Sequence, residues 1–316
     1  MPEIPVARGE RIPWDAAPER IHRAVGEVLG SPVVAATTQP HGFSPAVAAR
    51  LVTEQGRRAF VKAVPPDINP DTPVIYRREI EVASRMPGGI PAPKLLWSLD
   101  EGSGGWVVLL FEDVDGRPPH LPWVAEDLRA AIEAVDLLAE RLTPSPIEAG
   151  QQGERMAEDW ARWSELAAEP PPDLEPWFVA RGAQLNEIEA RLAELTRGQT
   201  LVHLDIRSDN LIIAGDQCWV VDWAWPLRGA PWMDVVVFAL FVEGEGGPPA
   251  DEVLRWSRTG RVAPPAGVLA LLCTLAGGLT WQAHRPALPG LPGLRAFQAA
   301  HARTARNWLR RKIESS

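Results

Sequence analysis

Cysteine is nearly absent: the 316-residue chain contains only Cys218 and Cys273, and both lie in apolar stretches. Two thiols cannot form a disulfide framework, and cysteines in apolar stretches are usually core residues rather than metal ligands. The polar, proline-containing start, Met1 to Arg11, does not resemble a signal peptide. We therefore expect two reduced core thiols in a cytoplasmic protein.

Lysine is also scarce, because Lys62, Lys94 and Lys312 are the only lysines among 32 basic residues, which leaves 29 arginines. In such a chain a lysine inside an apolar strand needs a specific reason. Lys62 lies in the strand-like run 59–64 (AFVKAV), and a buried ammonium needs a partner. Glu79, in the next predicted helix, is the candidate partner. The alternative is a solubility role on an edge strand.

Positive charge is in deficit, since 41 acidic residues exceed 32 basic ones and give a net charge of −9. This balance argues against nucleic acid as a main partner. Acid is concentrated in residues 120–175, where 13 acidic residues and four arginines give a local charge of −9. Such a run is typical of a solvated helix face, and the alternative is an acidic wall for a cationic substrate.

One stretch raises the question of a membrane span, because residues 262–283 carry no charge over 22 positions. The dipeptides Pro264-Pro265 and Gly277-Gly278 shorten the uninterrupted apolar helix that this stretch can form. We predict a buried helix of a globular protein, and we expect no membrane partner.

The most informative stretch is HLDIRSDNLII, which begins at His203 and is followed by VVDW at 220–223. Two apolar runs, 211–213 and 218–221, flank a turn-like segment and predict an antiparallel hairpin. If residue 213 pairs with 218, Asn210 and Asp222 emerge at the same open end. Asp205 precedes Asn210 by five residues, so three oxygen-bearing side chains converge.

This spacing, H-x-D-x-x-x-x-N followed by a strand that ends in aspartate, suits phosphoryl transfer. Asn210 and Asp222 carry the oxygen atoms that Mg²⁺ prefers, with phosphates and water completing its shell. Asp205 is then available to orient a hydroxyl and accept its proton. The alternative is a polar loop that caps a hairpin.

Two further segments fit a nucleotide. The turn at 42–44 (GFS), between two predicted strands, can cover phosphates with backbone N–H groups and the Ser44 hydroxyl, or it is an ordinary glycine turn. The strand 106–111 runs into Glu112-Asp113-Val114-Asp115-Gly116. This short polar connector is a natural hinge, and its backbone at 111–114 could hydrogen-bond an adenine edge.

From Trp123 onward the pattern is largely helical, with helices predicted over 154–168, 177–197 and 293–312. Asp234 begins an apolar helix that it could cap, or it could brace the loop around Asp205 by accepting backbone hydrogen bonds. Strands in the first part and helices in the second predict an α+β protein.

Together these residues resemble the aminoglycoside phosphotransferase family, within the protein-kinase-like superfamily, over about residues 33–283. The matching residues are His203-Leu204-Asp205 with Asn210, Val221-Asp222, Lys62 with Glu79, and Gly229-Ala230-Pro231 with Asp234. The family commonly has glycine, histidine and glycine at the positions that Leu204, Arg207 and Asp209 occupy here. Asp209 is expected either to face solvent or to contact a substrate.

The resemblance implies a role for each matching residue. Asp205 would be the catalytic base, Arg207 would place a cation near the γ-phosphate, and His203 would support the loop. Asn210 and Asp222 would hold Mg²⁺. Nucleotide contacts would come from Lys62, with Glu79 orienting it, from Phe43 and Ser44 over the phosphates, and from Phe111, Glu112 and Val114 in the hinge.

The resemblance also implies a two-lobed kinase-like fold, with a nucleotide-binding lobe at 1–111, a hinge at 112–116 and a helical lobe at 117–316. The expected activity is transfer of the γ-phosphate of ATP or GTP to a hydroxyl of a small molecule, with an aminoglycoside-like antibiotic as one candidate. The alternatives are a kinase of a homoserine, choline or sugar type, or a catalytically silent nucleotide-binding protein. We expect a monomer or a homodimer.

A protein acceptor is disfavoured on the sequence, because only 11 residues separate Asp222 from Asp234. That segment is short for a platform on which a peptide could dock.

Overall fold

The computed structural model describes residues 11–39, 46–66, 71–288, 291 and 293–315. Its first part is an antiparallel sheet of five strands in the order β1-β2-β3-β5-β4, with one helix on each face. The strands are β1 (Val33–Thr38), β2 (Val47–Thr53), β3 (Arg58–Val64), β4 (Leu95–Asp100) and β5 (Val107–Glu112), and the helices are α1 (Glu19–Leu29) and α2 (Asp71–Ala83).

Strand alternation decides which side chains of β3 reach the cleft. Ala59, Val61 and Ala63 pack under α1, while Phe60 and Val64 belong to the cluster under α2. Because successive side chains point to opposite faces, Lys62 lies on the α2 side, as the alternating pattern predicts.

The second part is mostly helical and supports two short β-ribbons, one that pairs residues 200–202 with 227–229 and one that pairs residues 211–214 with 217–220. One 3₁₀ turn, Trp14–Ala16, precedes α1 in the first part, and another, Ser208–Asn210, lies in the second part. Its elements are α3 (Ala125–Arg141), α4 (Gln152–Asp159), α5 (Trp163–Ala168), α6 (Pro176–Val179), α7 (Gly182–Glu189), α8 (Leu192–Leu195), β6 (Thr200–Val202), β7 (Leu211–Ala214), β8 (Gln217–Val220), β9 (Leu227–Gly229), α9 (Met233–Gly244), α10 (Ala250–Trp256), α11 (Arg258–Arg261), α12 (Pro265–Ala283) and α13 (Leu294–Glu314).

The predicted hairpin is confirmed in its register, since Ile213 pairs with Cys218 and Leu211 pairs with Val220. Asn210 therefore precedes one strand and Asp222 follows the other at the same open end. Both cysteines are free and buried, as expected. The α+β class is confirmed, while the boundaries at 111 and 116 remain predictions.

Helix α12 is the uncharged stretch. By length and composition it could cross a membrane, but 72% of its apolar window is buried inside the protein. Two of its glycines permit close packing, because an added Cβ would lie 2.9 Å from Trp163 at Gly277 and 2.4 Å from Trp160 at Gly278. The predicted interior helix is therefore confirmed by its packing.

The predicted helices over 154–168 and 177–197 are broken into short pieces. At the first break the buried carboxylate of Glu189 accepts the backbone N–H groups of Arg162, at 3.2 Å, and Trp163, at 2.9 Å. The first N–H groups of a helix have no intrahelical partner, so this distant acid stabilises a new start at α5. Local sequence offers no hint of it.

Burial raises the pKa of Glu189 to about 7, against 4.5 for an ordinary glutamate. The folded state therefore holds this proton more tightly, so the free energy of unfolding should fall as pH rises from about 4.5 to about 7. Glu189→Gln should flatten this slope in urea titrations at several pH values. The exposed neighbour Glu165→Gln is the control, and an unchanged slope in Glu189→Gln would contradict the prediction.

Candidate active site

Lys62 is the centre of the cleft between the sheet and the hairpin. Its Nζ lies 2.5 Å from Glu79 Oε2 on α2 and 2.8 Å from Asp222 Oδ1 after β8. The same ammonium lies 5.2 Å from the centre of the Tyr76 ring, and the Trp223 backbone N–H also donates to Glu79. The predicted Lys62–Glu79 pair is thus present, and it connects three distant parts of the chain.

Electrostatics keep this cluster charged. Burial alone would raise the pKa of Asp222, but the charge and hydrogen bond of Lys62 lower it to about 2. Burial would lower the pKa of Lys62, and Asp222 and Glu79 together raise it above its ordinary value. Asp222 is therefore ionised at neutral pH beside a fully protonated lysine.

The loop after β6 is held in a strained shape. Leu204 has a φ of +58° and Asp222 has a φ of +69°, a region that favours glycine. Asp234, in the first turn of α9, accepts the N–H groups of His203 at 3.0 Å and Leu204 at 2.7 Å. The bracing alternative for Asp234 is thereby confirmed, because both of its carboxylate oxygens bind this loop and the N-cap position of α9 is occupied by Trp232.

His203 connects the two sides of the loop. Its Nδ1 accepts the Asp205 N–H at 3.2 Å, so Nε2 carries the proton and donates to the Val221 carbonyl at 3.0 Å. Burial lowers the pKa of this imidazole, and the Trp223 ring packs edge-on against it at 4.7 Å. His203 is a neutral crosslink between the loop and the segment that carries Asp222.

Both oxygens of Asp205 are engaged. Oδ1 lies 2.9 Å from Arg207 Nη1, and Oδ2 accepts from Asn210 Nδ2 at 3.1 Å. Arg207 Nε in turn lies 2.6 Å from Asp209 Oδ1. The guanidinium therefore bridges two carboxylates, so Asp209 is buried against Arg207 and does not face solvent.

Burial raises the pKa of Asp205 to about 6, although the neighbouring Arg207 opposes the shift. Such a carboxylate is ionised at neutral pH, yet it binds a proton more readily than an ordinary aspartate. A group of this kind suits general-base chemistry.

The oxygen atoms that face the cleft fit a hard cation. Asn210 directs its amide nitrogen to Asp205, and among the described residues neither Asn210 Oδ1 nor Asp222 Oδ2 has a hydrogen-bond partner. No group of three or more His, Cys, Asp or Glu within the described ranges could hold a metal alone. A cation bound here would take its remaining ligands from phosphate and water, as Mg²⁺ does.

The predicted hinge residues Phe111, Glu112 and Val114 line the same cleft together with Lys62 and Asp222. The Glu112 N–H donates a hydrogen bond to the Lys94 carbonyl at 3.0 Å. The Val114 carbonyl accepts from Arg50 at 3.1 Å, whereas the Val114 N–H has no partner among the described residues. One hinge donor therefore remains available to a base.

Two residues are expected over the phosphates, and two tryptophans follow Asp222 in the sequence. Phe43 and Ser44 lie outside the described residues. Trp223 is 5% exposed and lines the cleft, whereas Trp225 is 54% exposed and lies under the Arg78 guanidinium, 5.6 Å from its ring centre. Trp223 is thus a packing group, whereas the ring of Trp225 is accessible from solvent.

Sequence reasoning missed Arg50 and Glu245. Arg50, from β2, also donates to the Gly116 carbonyl at 3.2 Å and pairs with Asp113 at 3.3 Å, so it ties the hinge to the sheet. Glu245 is buried behind the 3₁₀ turn at Ser208. An arginine on an alternating strand and an acid after an apolar helix carry no local sign of these roles.

This fold and site define a phosphate-transferring class of protein. Residues 36–268 match the family model described as the phosphotransferase enzyme family, APH. The chain belongs to this family and is a phosphotransferase. A search among curated proteins finds no significant match.

Several solved structures with the same fold are named as kinases or phosphotransferases. A thermostable mutant of aminoglycoside phosphotransferase APH(4)-Ia, in complex with AMP-PNP and hygromycin B, is 15% identical, with 95% of this chain and 99% of that chain covered and a TM-score of 0.57. Choline kinase LicA from Streptococcus pneumoniae is 15% identical, with 93% and 99% covered and a TM-score of 0.57.

An aminoglycoside phosphotransferase from Alicyclobacillus acidocaldarius subsp. acidocaldarius DSM 446 is 13% identical, with 85% and 90% covered and a TM-score of 0.53. These similarities confirm the expected two-lobed, kinase-like α+β fold.

The positive φ at Leu204 yields a stability test. Leu204→Ala and Leu204→Gly both remove the packing of the leucine side chain, but only glycine relieves the left-handed strain. The glycine variant should therefore be the more stable by about 1 kcal/mol, the reverse of the usual order. Urea unfolding measures the difference, and an alanine variant equal to or more stable than the glycine variant would refute the strain argument.

Proposed function

We propose that the chain transfers the γ-phosphate of ATP, or of GTP, to a hydroxyl of a small molecule. The observation that carries this proposal is the convergence in one cleft of the Lys62–Glu79–Asp222 cluster with Asp205 and Asn210. Phosphoryl transfer depends mainly on positioning and charge neutralisation, and these groups supply both.

Nucleotide binding uses the two ends of the cleft. The Val114 N–H is placed to donate to the edge of a base, between the apolar side chains of Ala48, Phe60 and Leu211 that line the same space. At the other end Lys62 neutralises phosphate charge while Glu79 holds it in place. The complex of one structural relative with AMP-PNP supports a triphosphate in this cleft.

Asn210 and Asp222 would hold Mg²⁺ through the two oxygen atoms that have no protein partner among the described residues. The cation would neutralise charge on the phosphates during transfer. Asp222 would then exchange part of its contact with Lys62, which now lowers its pKa, for the metal, whose positive charge would keep the carboxylate ionised.

In the transfer step the acceptor oxygen forms a bond to the γ-phosphorus. The bond from that phosphorus to the β,γ-bridging oxygen breaks, and ADP leaves with its electron pair. The proton of the acceptor hydroxyl passes to Asp205, which Asn210 and Arg207 hold in place. Arg207 would orient the base through its contact with Asp205. It would also place its positive charge near the γ-phosphate.

The acidic stretch gives little support to a polycationic acceptor. Several of its carboxylates already pair with basic groups, as in Asp127 with Arg117 and Glu133 with Arg258. At the catalytic loop, the carboxylates of Asp205, the proposed base, and Asp209 both pair with Arg207. An acceptor screen should therefore include neutral hydroxyl compounds, such as sugars, and macrolides, beside aminoglycosides, choline and homoserine.

Asp205→Asn tests the assignment of the base. It should lower phosphoryl transfer about 100- to 10,000-fold, because general-base catalysis contributes that much, while nucleotide affinity stays near wild type. ADP release across the acceptor panel and titration calorimetry with MgATP measure the two effects. Turnover equal to wild type in the variant would exclude Asp205 as the base.

Lys62→Met tests the nucleotide cluster. Loss of a buried cation at the phosphates should lower ADP formation about 100-fold or more and weaken MgATP binding. Lys312→Met is the matched control, since Lys312 pairs with Asp251 on the far helical surface and should change neither quantity. Equal effects of the two variants would contradict a phosphate-binding role for Lys62.

A further inference from the structure

A buried carboxylate lies behind the loop that carries Asp205. Glu245 follows the last turn of α9, is 2% exposed and has its backbone N–H fixed to the Phe241 carbonyl at 2.8 Å. Its Oε1 accepts the Ser208 hydroxyl at 2.7 Å, and its Oε2 accepts the Trp123 indole N–H at 2.9 Å. One side chain thus joins three segments that are distant in sequence.

This arrangement is costly as a purely structural link. A buried carboxylate normally requires a cation, but the two side chains that donate to Glu245 are uncharged, and Asp209 lies close enough to repel it. Burial raises the pKa of Glu245 to about 7. A neutral acceptor such as glutamine could bind the Ser208 hydroxyl and the Trp123 indole equally well. A glutamate at this position therefore lowers the stability of the folded protein relative to a neutral side chain.

Ser208 is the point at which Glu245 meets the loop. It opens the 3₁₀ turn Ser208–Asn210 and lies between Arg207 and Asp209, whose side chains bind one another. The turn is closed by the Asn210 N–H, which donates to the Arg207 carbonyl at 2.9 Å. A shift of Ser208 would therefore move Arg207 and Asn210 together, and these two residues hold the oxygens of Asp205.

We propose that Glu245 is a positioning residue for phosphoryl transfer, which acts through Ser208 to set the placement of Arg207 and Asn210 around Asp205. Trp123 fixes the opposite oxygen of Glu245 and is itself anchored edge-on against Phe238 of α9, 5.5 Å between ring centres. Trp123 thereby fixes one carboxylate oxygen of Glu245, and the other oxygen holds Ser208 and the loop that carries Asp205. This inference rests on the proposed function of Asp205.

The experiment compares Glu245→Ala, Glu245→Gln, Ser208→Ala and the double variant Glu245→Ala with Ser208→Ala. ADP release from MgATP is measured with a hydroxyl acceptor from the screen or, without one, with water as acceptor. Glutamine keeps the link, since its carbonyl can accept from Trp123 and its amide can donate to the serine oxygen. Thermal unfolding and MgATP calorimetry are recorded for each protein.

Glu245→Ala should lower kcat about 10- to 100-fold, the effect of misplacing a catalytic group by a fraction of an ångström to an ångström. KM for ATP should stay near wild type, and Glu245→Gln should restore most of kcat. In the double variant the two losses should be far from additive, because both variants break one contact. Glu243→Ala is the matched control, as this acid on the same helix end binds Arg311 and the Ala250 N–H.

Unchanged kcat in Glu245→Ala would overturn the proposal, as would additive losses or an equal loss in Glu243→Ala. If Glu245→Ala does not fold, Ser208→Ala decides, because a folded protein with wild-type kcat excludes the hydrogen bond of the Ser208 hydroxyl as the link. Asp205→Asn separates this inference from the proposed function. If Asp205→Asn loses turnover while Ser208→Ala and Glu245→Ala keep it, the role of Glu245 is refuted and the proposed function stands. If Asp205→Asn keeps full turnover, both the role of Glu245 and the role of Asp205 as the base are refuted.

Discussion

The site depends on one buried ammonium. Lys62 comes from a strand, Glu79 from a helix and Asp222 from the end of a hairpin 160 residues away, and the charges of Lys62 and Glu79 can be buried only because they are paired. An unpaired charge in such a position costs several kcal/mol, so the pairing requires the sheet and the helical part to meet at this place. The cleft that results is the space between them, and it carries the charges that the proposed triphosphate and divalent cation would need.

A second constraint shapes the loop that faces this cluster. Leu204 and Asp222 both adopt left-handed backbone conformations that cost non-glycine residues about 1 to 2 kcal/mol each. Asp234 and His203 compensate by binding the backbone on either side of the strained positions. Strain of this kind persists only where the surroundings over-determine it, and here the surroundings are the interior of the helical part.

The departures from the family pattern are coupled rather than incidental. Arg207 brings a permanent cation next to Asp205, and Asp209 supplies the second carboxylate that such a cation can bind. The side chain of Phe297, from α13, packs 5.4 Å from the guanidinium. Replacing Arg207 alone would leave the buried carboxylate of Asp209 without this cation, which explains why the two unusual residues occur together.

The sequence by itself determined the features that depend on local order. Alternation placed Lys62 on the cleft face of its strand, and turn chemistry set the register that brings Asn210 beside Asp222. The spacing of Asp205 and Asn210 indicated phosphoryl transfer before any contact was known. Tertiary structure alone decided that Glu189 starts a helix 26 residues earlier, that Arg50 holds the hinge and that Glu245 supports Ser208. These side chains find their partners far along the chain, and a periodic pattern records which face is buried but not which distant group meets it.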